Sequence, residues 1–297
     1  METTILGEPI TYLIPTKRLS LPKGIECKFC GSENLVRYGK SKDLQLYLCR
    51  KCGRKGTDNR ALPKMKVPPQ VIGSALSMFY EGLSLSAIRR QLWQIYHIEP
   101  SRSTIYEWTT KYSKKADKLV SNIKLKTGRD WVVDETVLKI GGQNIWFWDV
   151  IDYDTRLLIA SHLSTTRGTK DAEAVMMRAQ DKTAKPPQFI ISDKLAAYLE
   201  GIERVFGTGI WHLQSKGFAG IINTNLIERF HGTLKDRTKV MRGLKKRDTA
   251  KTFLSGYLIN YNFFKPHSAL ENKTPAQVAE VKFPYQNWTE VVKGKEV

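Results

Sequence analysis

The sequence is poor in negative charge. Its 297 residues include 29 Asp and Glu against 48 Lys and Arg, a net charge of +19 with a pI near 9.7. Such an excess has to face something. Phosphates reward neutralisation by releasing counterions, so nucleic acid is the leading partner class and an anionic membrane surface the rival. The sequence also lacks any apolar run near the roughly 18 residues of a spanning helix, so no membrane-spanning helix and no membrane partner are expected. The opening METTILGEPI carries Glu2 and Glu8 and no basic stretch ahead of an apolar one, so it does not read as a secretory signal. A cytoplasmic, nucleoid-associated chain is expected. The composition is not that of a disordered basic tail: 41% of residues are hydrophobic and 26% charged, enough to bury a core in two or three domains.

The charge is uneven. Residues 1–130 carry 24 basic and 11 acidic side chains, net +13, and residues 131–297 carry 24 and 18, net +6. The basic front also holds all four cysteines. Cys27 and Cys30 form CKFC and Cys49 and Cys52 form CRKC, giving C-x2-C-x18-C-x2-C. Two such knuckles supply the four soft ligands that tetrahedral Zn²⁺ requires. Gly31 and Gly53 follow the pairs where a tight turn calls for positive φ, and Lys28, Arg50 and Lys51 favour the thiolate form. Two disulfides are the rival reading, disfavoured without a secretory signal. The spacing predicts a zinc ribbon over 1–60 and a Pro- and Lys-containing linker over 61–70.

Beyond the linker, Val71, Ile72, Ala75, Leu76 and Phe79 fall at helical spacing behind Pro68-Pro69, and Gly82 ends the run. Ser84 caps a second helix to about Tyr96, with Leu85, Ile88 and Leu92 on one face. After Pro100, Ser101 or Ser103 caps a third carrying Ile105, Trp108 and Tyr112. The order matches a helix-turn-helix domain over 71–125, whose last helix would present Arg102, Ser103 and Tyr106 to DNA. Trp108 reads as core.

From Trp131 the periodicity changes. WVVDETVLKI alternates, Gly141-Gly142-Gln143-Asn144 reads as a hairpin turn, and IWFWDVID and RLLIASHLS read as two more strands. Trp146 and Trp148 read as core. TKDAEAVMMRAQDK is helical, QFIISD a short buried strand, KLAAYLEGIERVF helical, GIWHL a strand, and NTNLIERFHGTLKDRTKVMRG a long basic helix. The fold class is α/β: a mixed sheet flanked by helices, as in the ribonuclease H-like fold, over 126–285, with a tail at 286–297.

Asp134 lies inside the first of these strands and Asp193 ends FIISD, places where a carboxylate is costly unless paired or metal-bound. Glu228 sits in the last helix. Three such acids can converge on divalent ions for in-line phosphoryl transfer, and hard oxygen ligands favour Mg²⁺ or Mn²⁺. Position alone does not separate them from Glu135, Asp149, Asp152 and Asp154 nearby. The local sequences do: VVDET, ISDKLAAY and NTNLIERFHGTLKDR, with 34 residues between Asp193 and Glu228, and the later NYNFFKPHSALENKTPAQVA. Together they resemble the DDE transposases of bacterial and archaeal insertion sequences, in particular insertion sequence family six, over roughly residues 71–280. The resemblance implies that Asp134, Asp193 and Glu228 are catalytic and bind Mg²⁺ or Mn²⁺. It implies that Lys235, at i+7 from Glu228, meets a DNA phosphate.

The basic run Lys235, Arg237, Lys239, Arg242, Lys245, Lys246 and Arg247 is expected where DNA approaches, with Lys235, Arg237 and Lys239 as its contacts. Asn225 and His231 flank Glu228 at i−3 and i+3, and His212 and His231 are not expected to bind metal. Asn260, Tyr261 and Asn262 are assigned no chemistry. The expected activity is that of a transposase: binding transposon ends, cleaving strands and joining 3′-ends to target DNA, as a homodimer or higher homo-oligomer. A non-catalytic domesticated DNA-binding protein and a ribonuclease H-like nuclease are the alternatives.

Overall fold

The structure is a computed structural model and describes residues 25–41, 44–57, 59, 61–63, 65–215, 224–241 and 243–294. The opening decapeptide, Arg242 and the last three residues lie outside these. Contacts divide the chain into two compact units between Pro68 and Pro69.

The first unit is an antiparallel sheet of β1 (Leu35–Ser41), β2 (Leu44–Cys49) and β3 (Lys55–Thr57), in that order. Cys27 and Cys30 lie in the turn before β1. Cys49 ends β2 and Cys52 lies in the turn that follows. Each knuckle closes on its first cysteine: Gly31 N–H donates to the Cys27 carbonyl and Gly53 N–H to that of Cys49, both at 2.8 Å. Gly31 and Gly53 have φ of +68° and +69°, a backbone that a Cβ would strain.

The second unit opens with α1 (Pro69–Tyr80), α2 (Leu85–Tyr96) and α3 (Arg102–Val120). Ser84 caps α2 by accepting from Ala87 N–H, and Ser101, not Ser103, caps α3 by accepting from Thr104 N–H. His97 leaves α2 in the left-handed conformation that ends a helix cleanly. The apolar stripe of α1, Val71, Ile72, Ala75, Leu76 and Phe79, is buried as its spacing predicts. Trp108 is only half-buried.

A five-stranded mixed sheet follows: β4 (Asp130–Ile140), β5 (Gln143–Asp152), β6 (Leu158–Ser164), β7 (Phe189–Ser192) and β8 (Trp211–Gln214). The order is β6-β5-β4-β7-β8. β4, β5 and β6 are antiparallel, while β7 runs parallel to β4 and β8 parallel to β7. This is the mixed, helix-flanked sheet expected from the sequence. The β4–β5 turn is tighter than read from the sequence. Gly141 and Gly142 alone make it, both with positive φ, and Gln143 and Asn144 already pair in the ladder. Trp148 is buried and Trp146 half-buried.

Between and after the strands come α4 (Thr169–Lys182), α5 (Ala196–Phe206), α6 (Asn225–Val240), α7 (Arg247–Ile259), α8 (Pro275–Val278) and α9 (Trp288–Lys293). α4 packs on β5, β6 and α5, and α6 packs on β4. No break in contacts falls at 125/126, because α3 packs on α7 and α1 on α9. The approach is close enough to need glycine. A Cβ on Gly256 of α7 would lie 2.0 Å from Tyr80 Oη, and one on Gly73 of α1 would lie 2.2 Å from Thr289 Oγ1. The tail asparagines turn out to be structural. Asn262 accepts from Leu158 N–H and donates to Leu158 O, closing the outer edge of β6, and Asn260 accepts from Trp288 Nε1. Among the described residues no helix is long and apolar enough to cross a membrane.

Candidate active site and metal centres

The cysteines converge. All four sulfurs lie within 4.8 Å of one another, with Cys27–Cys52 at 3.7 Å and Cys30–Cys49 at 3.6 Å. Disulfides are excluded at these separations, since a bond needs about 2.05 Å. Four thiolates at about 2.3 Å from a central zinc would be about 3.8 Å apart, so the donor set fits a tetrahedral ion. The Cys52 and Lys51 amides outweigh desolvation and hold the Cys49 thiol down to about 6, which favours the thiolate.

The acids meet at the middle of the sheet. β7 pairs with β4 only over Asp130–Val132, so among the described residues no named strand lies beside that edge of β4 past Val132, and only Ile140 at its far end is bridged, to Leu244. Asp193, the residue after β7, borders this open edge. Asp134 and Glu135, consecutive on β4, start on opposite faces of the sheet. Even so, Asp134, Glu135 and Asp193 each bring an oxygen within 4.8 Å of the other two. Glu228 lies exposed in the first turn of α6, where its Oε1 accepts from Thr224 Oγ1 at 2.9 Å. It is outside the tight group, yet close enough for its charge to act on Asp134. Burial first, then the charges of Glu135, Asp193 and Glu228, push the Asp134 carboxyl up to about 7. That is the electrostatics of a site built to receive a cation: several carboxylates that repel one another until a positive charge arrives.

The two faces hold different supports. On the α6 face, His231 reaches Asp149 at 3.0 Å through Nε2 and Asp134 at 3.6 Å through Nδ1. It therefore serves the first acid rather than Glu228. On the face of α4 and α5, Glu135 is buried. Arg167 Nε donates to its Oε1 at 2.7 Å, and the Tyr198 hydroxyl donates to its Oε2. Glu135, indistinct from its neighbours in sequence, thus belongs to the cluster as a member already paired with a cation. Asp152 has a structural task, accepting from Gly128 N–H at 3.1 Å and from Thr155. His212 bonds Ser192 Oγ at 2.8 Å and is not one of the residues grouped with Asp134, Glu135 and Asp193.

The expected DNA contacts divide. Arg102, Ser103 and Tyr106 are exposed on the first turns of α3. Lys235 and Lys239 are exposed on α6, Lys239 beside Asp236 at 3.0 Å. Arg237 departs from that expectation: it is buried, with its guanidinium 4.3 Å over Phe79 and 5.8 Å over Phe253. It continues the buried stripe Ile227, Phe230, His231 and Leu234 at helical spacing, so it faces the interior instead of DNA. Burial lowers its pKa to about 10. That stripe was readable from the sequence. Arg167 and Tyr198 had no such local signal. Arg242 lies outside the described residues.

Residues 128–267 match the profile of a family described as the DDE domain, a span that holds the whole five-stranded sheet and all three acids. An uncharacterized protein of Methanocaldococcus jannaschii is 23% identical over 201 residues, spanning 63% of this chain and 83% of that protein. Among solved structures, the HTLV-2 integrase catalytic core domain in complex with magnesium is 16% identical, with a TM-score of 0.42 over 52% of this chain and 99% of that one. The catalytic core domain of BIV integrase is 15% identical, with a TM-score of 0.39 over 52% of this chain and 94% of that one. The profile match defines, over those residues, a domain of the polynucleotidyl transferase class. Residues 128–267 are, more narrowly, a DDE domain of the transposase type, a kind whose catalysis involves divalent metal.

Proposed function

We propose that the protein is a transposase that binds transposon-end DNA, cleaves a strand and joins the freed 3′-end to target DNA. The observation that carries this reading is the convergence of Asp134 and Asp193 at the open edge of β4 within the matched domain. Glu228, across the site on α6, completes the set of three acids. Mg²⁺ or Mn²⁺ bound there would activate the attacking oxygen and steady the departing one. The chain's own residues do the rest. Asp134 and Asp193 supply hard oxygen ligands from rigid strand positions, and Glu228 closes the site from the helix. Lys235, two turns along the exposed side of α6, offers a cation to a neighbouring phosphate.

The other parts fit DNA handling. Arg102, Ser103 and Tyr106 stand on the exposed first turns of a capped helix, as the reading helix of a helix-turn-helix does. The four-cysteine unit takes Zn²⁺ and adds basic surface. Joining two ends requires more than one active site, so the working form is a homodimer or a higher homo-oligomer. The test is strand transfer in vitro with Mg²⁺ on a substrate carrying the flanking terminal repeats. Asp193→Asn is expected to abolish cleavage and joining while leaving end binding intact. Full activity in that variant would refute the site. End binding by the wild type without any metal-dependent cleavage would support a non-catalytic DNA-binding protein instead.

A further inference from the structure

The acid cluster has a cation of its own that the three-acid pattern does not include. Arg167 lies in the short link between β6 and α4. Its Nε donates to Glu135 Oε1, and its Nη2 pairs with the same oxygen. Glu135 is held in turn by the hydroxyl of Tyr198, whose ring packs edge-on against buried Trp148 at 5.6 Å. The guanidinium carbon sits 4.8 Å over the Trp146 ring. A buried carboxylate and an indole face therefore fix the plane of the fork. Its far edge is left open: the side chain is 40% exposed, Nη2 is 3.8 Å from Asp193 Oδ2, and Nη1 makes no hydrogen bond among the described residues. A purely structural ion pair would spend its donors on protein. This one is part-exposed and brings Nη2, while it pairs with Glu135, within 3.8 Å of an oxygen of Asp193.

We infer that Arg167 is a catalytic residue that donates from its open edge to a non-bridging oxygen of the phosphodiester undergoing transfer, with Glu135 and Tyr198 as positioning residues that hold the fork. The inference rests on the reading of Asp134 and Asp193 as the transfer site. In each step a new P–O bond forms to the oxygen of water or of a 3′-hydroxyl, and the P–O3′ bond of the attacked strand breaks. The proton lost by the attacking oxygen is matched by one gained by the departing 3′-oxygen. Arg167 takes part in neither proton movement. It meets the charge that gathers on the equatorial oxygens, and it does so already oriented, which is where such donors are most effective. Arginine is required because a lysine offers a point charge without the planar fork that spans carboxylate and phosphate together.

The experiment compares the full-length wild type with Arg167→Gln, Arg167→Lys, Tyr198→Phe and Asp193→Asn. It measures single-turnover cleavage of end DNA with Mg²⁺, DNA affinity, Mn²⁺ affinity by electron paramagnetic resonance, and the slowing caused by one non-bridging sulfur at the scissile phosphate. Arg167→Gln and Arg167→Lys are each expected to slow cleavage by about a hundredfold or more. DNA affinity should stay within about threefold and Mn²⁺ affinity should not fall. Tyr198→Phe should slow cleavage less. The sulfur effect should shrink in both Arg167 variants, because the contact it disturbs is already gone. A structural role would leave that effect unchanged. Cleavage by Arg167→Gln within about threefold of wild type, or an undiminished sulfur effect in Arg167→Lys, overturns the inference. Activity in Asp193→Asn would instead overturn the underlying site, whatever Arg167 does.

Discussion

His231 Nε2 lies 3.0 Å from Asp149 Oδ2, a pair that joins α6 to β5 directly beside Asp134. Asp149 is fully buried and its other oxygen has no hydrogen-bond partner among the described residues. Burial pushes its pKa well up, and burial together with Lys235 pushes that of His231 down to about 3. Both shifts favour the uncharged forms of the pair, and the imidazole is held with its Nδ1 toward Asp134. Partners of this kind orient the group that binds the metal, and losing them costs roughly 10- to 100-fold in metal affinity. His231→Ala is expected to weaken Mn²⁺ binding by that order, and His231→Gln, which keeps an amide for Asp149, by less. Unchanged Mn²⁺ titrations for both variants would show that His231 only fills space.

Asp134 makes stability depend on pH. Its folded pKa, about 7, stands above the ordinary aspartate value of 3.8. A carboxyl raised on folding contributes stability that is fully present below about pH 4 and is lost as pH rises through about 7. With divalent ions chelated, Asp134→Asn should stabilise the protein at pH 8 by on the order of 2 kcal/mol, and the difference should vanish near pH 4. Thermal melts at the two pH values check this. Equal melting at pH 8 would mean that Asp134 is not strained by its neighbours.

Metal removal should act on one unit only. All seven tryptophans lie beyond Pro68, so tryptophan fluorescence follows the second unit alone. We expect about one zinc per chain by elemental analysis and none in Cys49→Ser. A zinc chelator should unfold the unit around β1–β3 and leave the fluorescence melt in place. A parallel loss of the fluorescence transition would contradict the independence of the two units.

Surface and buried arginines should behave differently toward DNA. Arg102→Ala is expected to weaken binding and to reduce the salt slope by about one if it meets a phosphate. Arg237→Met should leave the salt slope unchanged, since that guanidinium is enclosed by Phe79 and Phe253. Fluorescence anisotropy over a salt series separates the two outcomes.

Gly256→Ala should destabilise the second unit by about 2 kcal/mol. The added methyl would fall on Tyr80 Oη and on Ser113 Oγ, 2.4 Å away, which hydrogen-bond to each other between α1 and α3. A lowered melting temperature checks it. No change would mean that α7 can withdraw from α1 at little cost.

Much of the fold was legible because it is periodic. The alternation of WVVDETVLKI, the Gly-Gly turn and the serine caps each act within a few residues, and β4, the β4–β5 hairpin, α2 and α3 fall where those signals put them. The three acids were legible only through their resemblance to a family pattern. Position alone did not distinguish Asp134 from Glu135. The structure brings both near Asp193 and separates their tasks by face: Asp134 toward His231, Glu135 toward Arg167 and Tyr198. Arg237 differs from the rest of the basic run because its helical phase places it beside Leu234 on the buried stripe, which charge alone does not reveal.

By itself, the sequence determined the local elements, the two cysteine knuckles and the excess of positive charge, since each depends on neighbouring residues or on simple sums. Only the tertiary structure decided which charges meet. Glu135 and Tyr198 are 63 residues apart, and Asp149 and His231 are 82. Contacts of that range depend on strand order and on which face each helix covers. Local periodicity carries neither, because it records the direction of a side chain and not what stands opposite it.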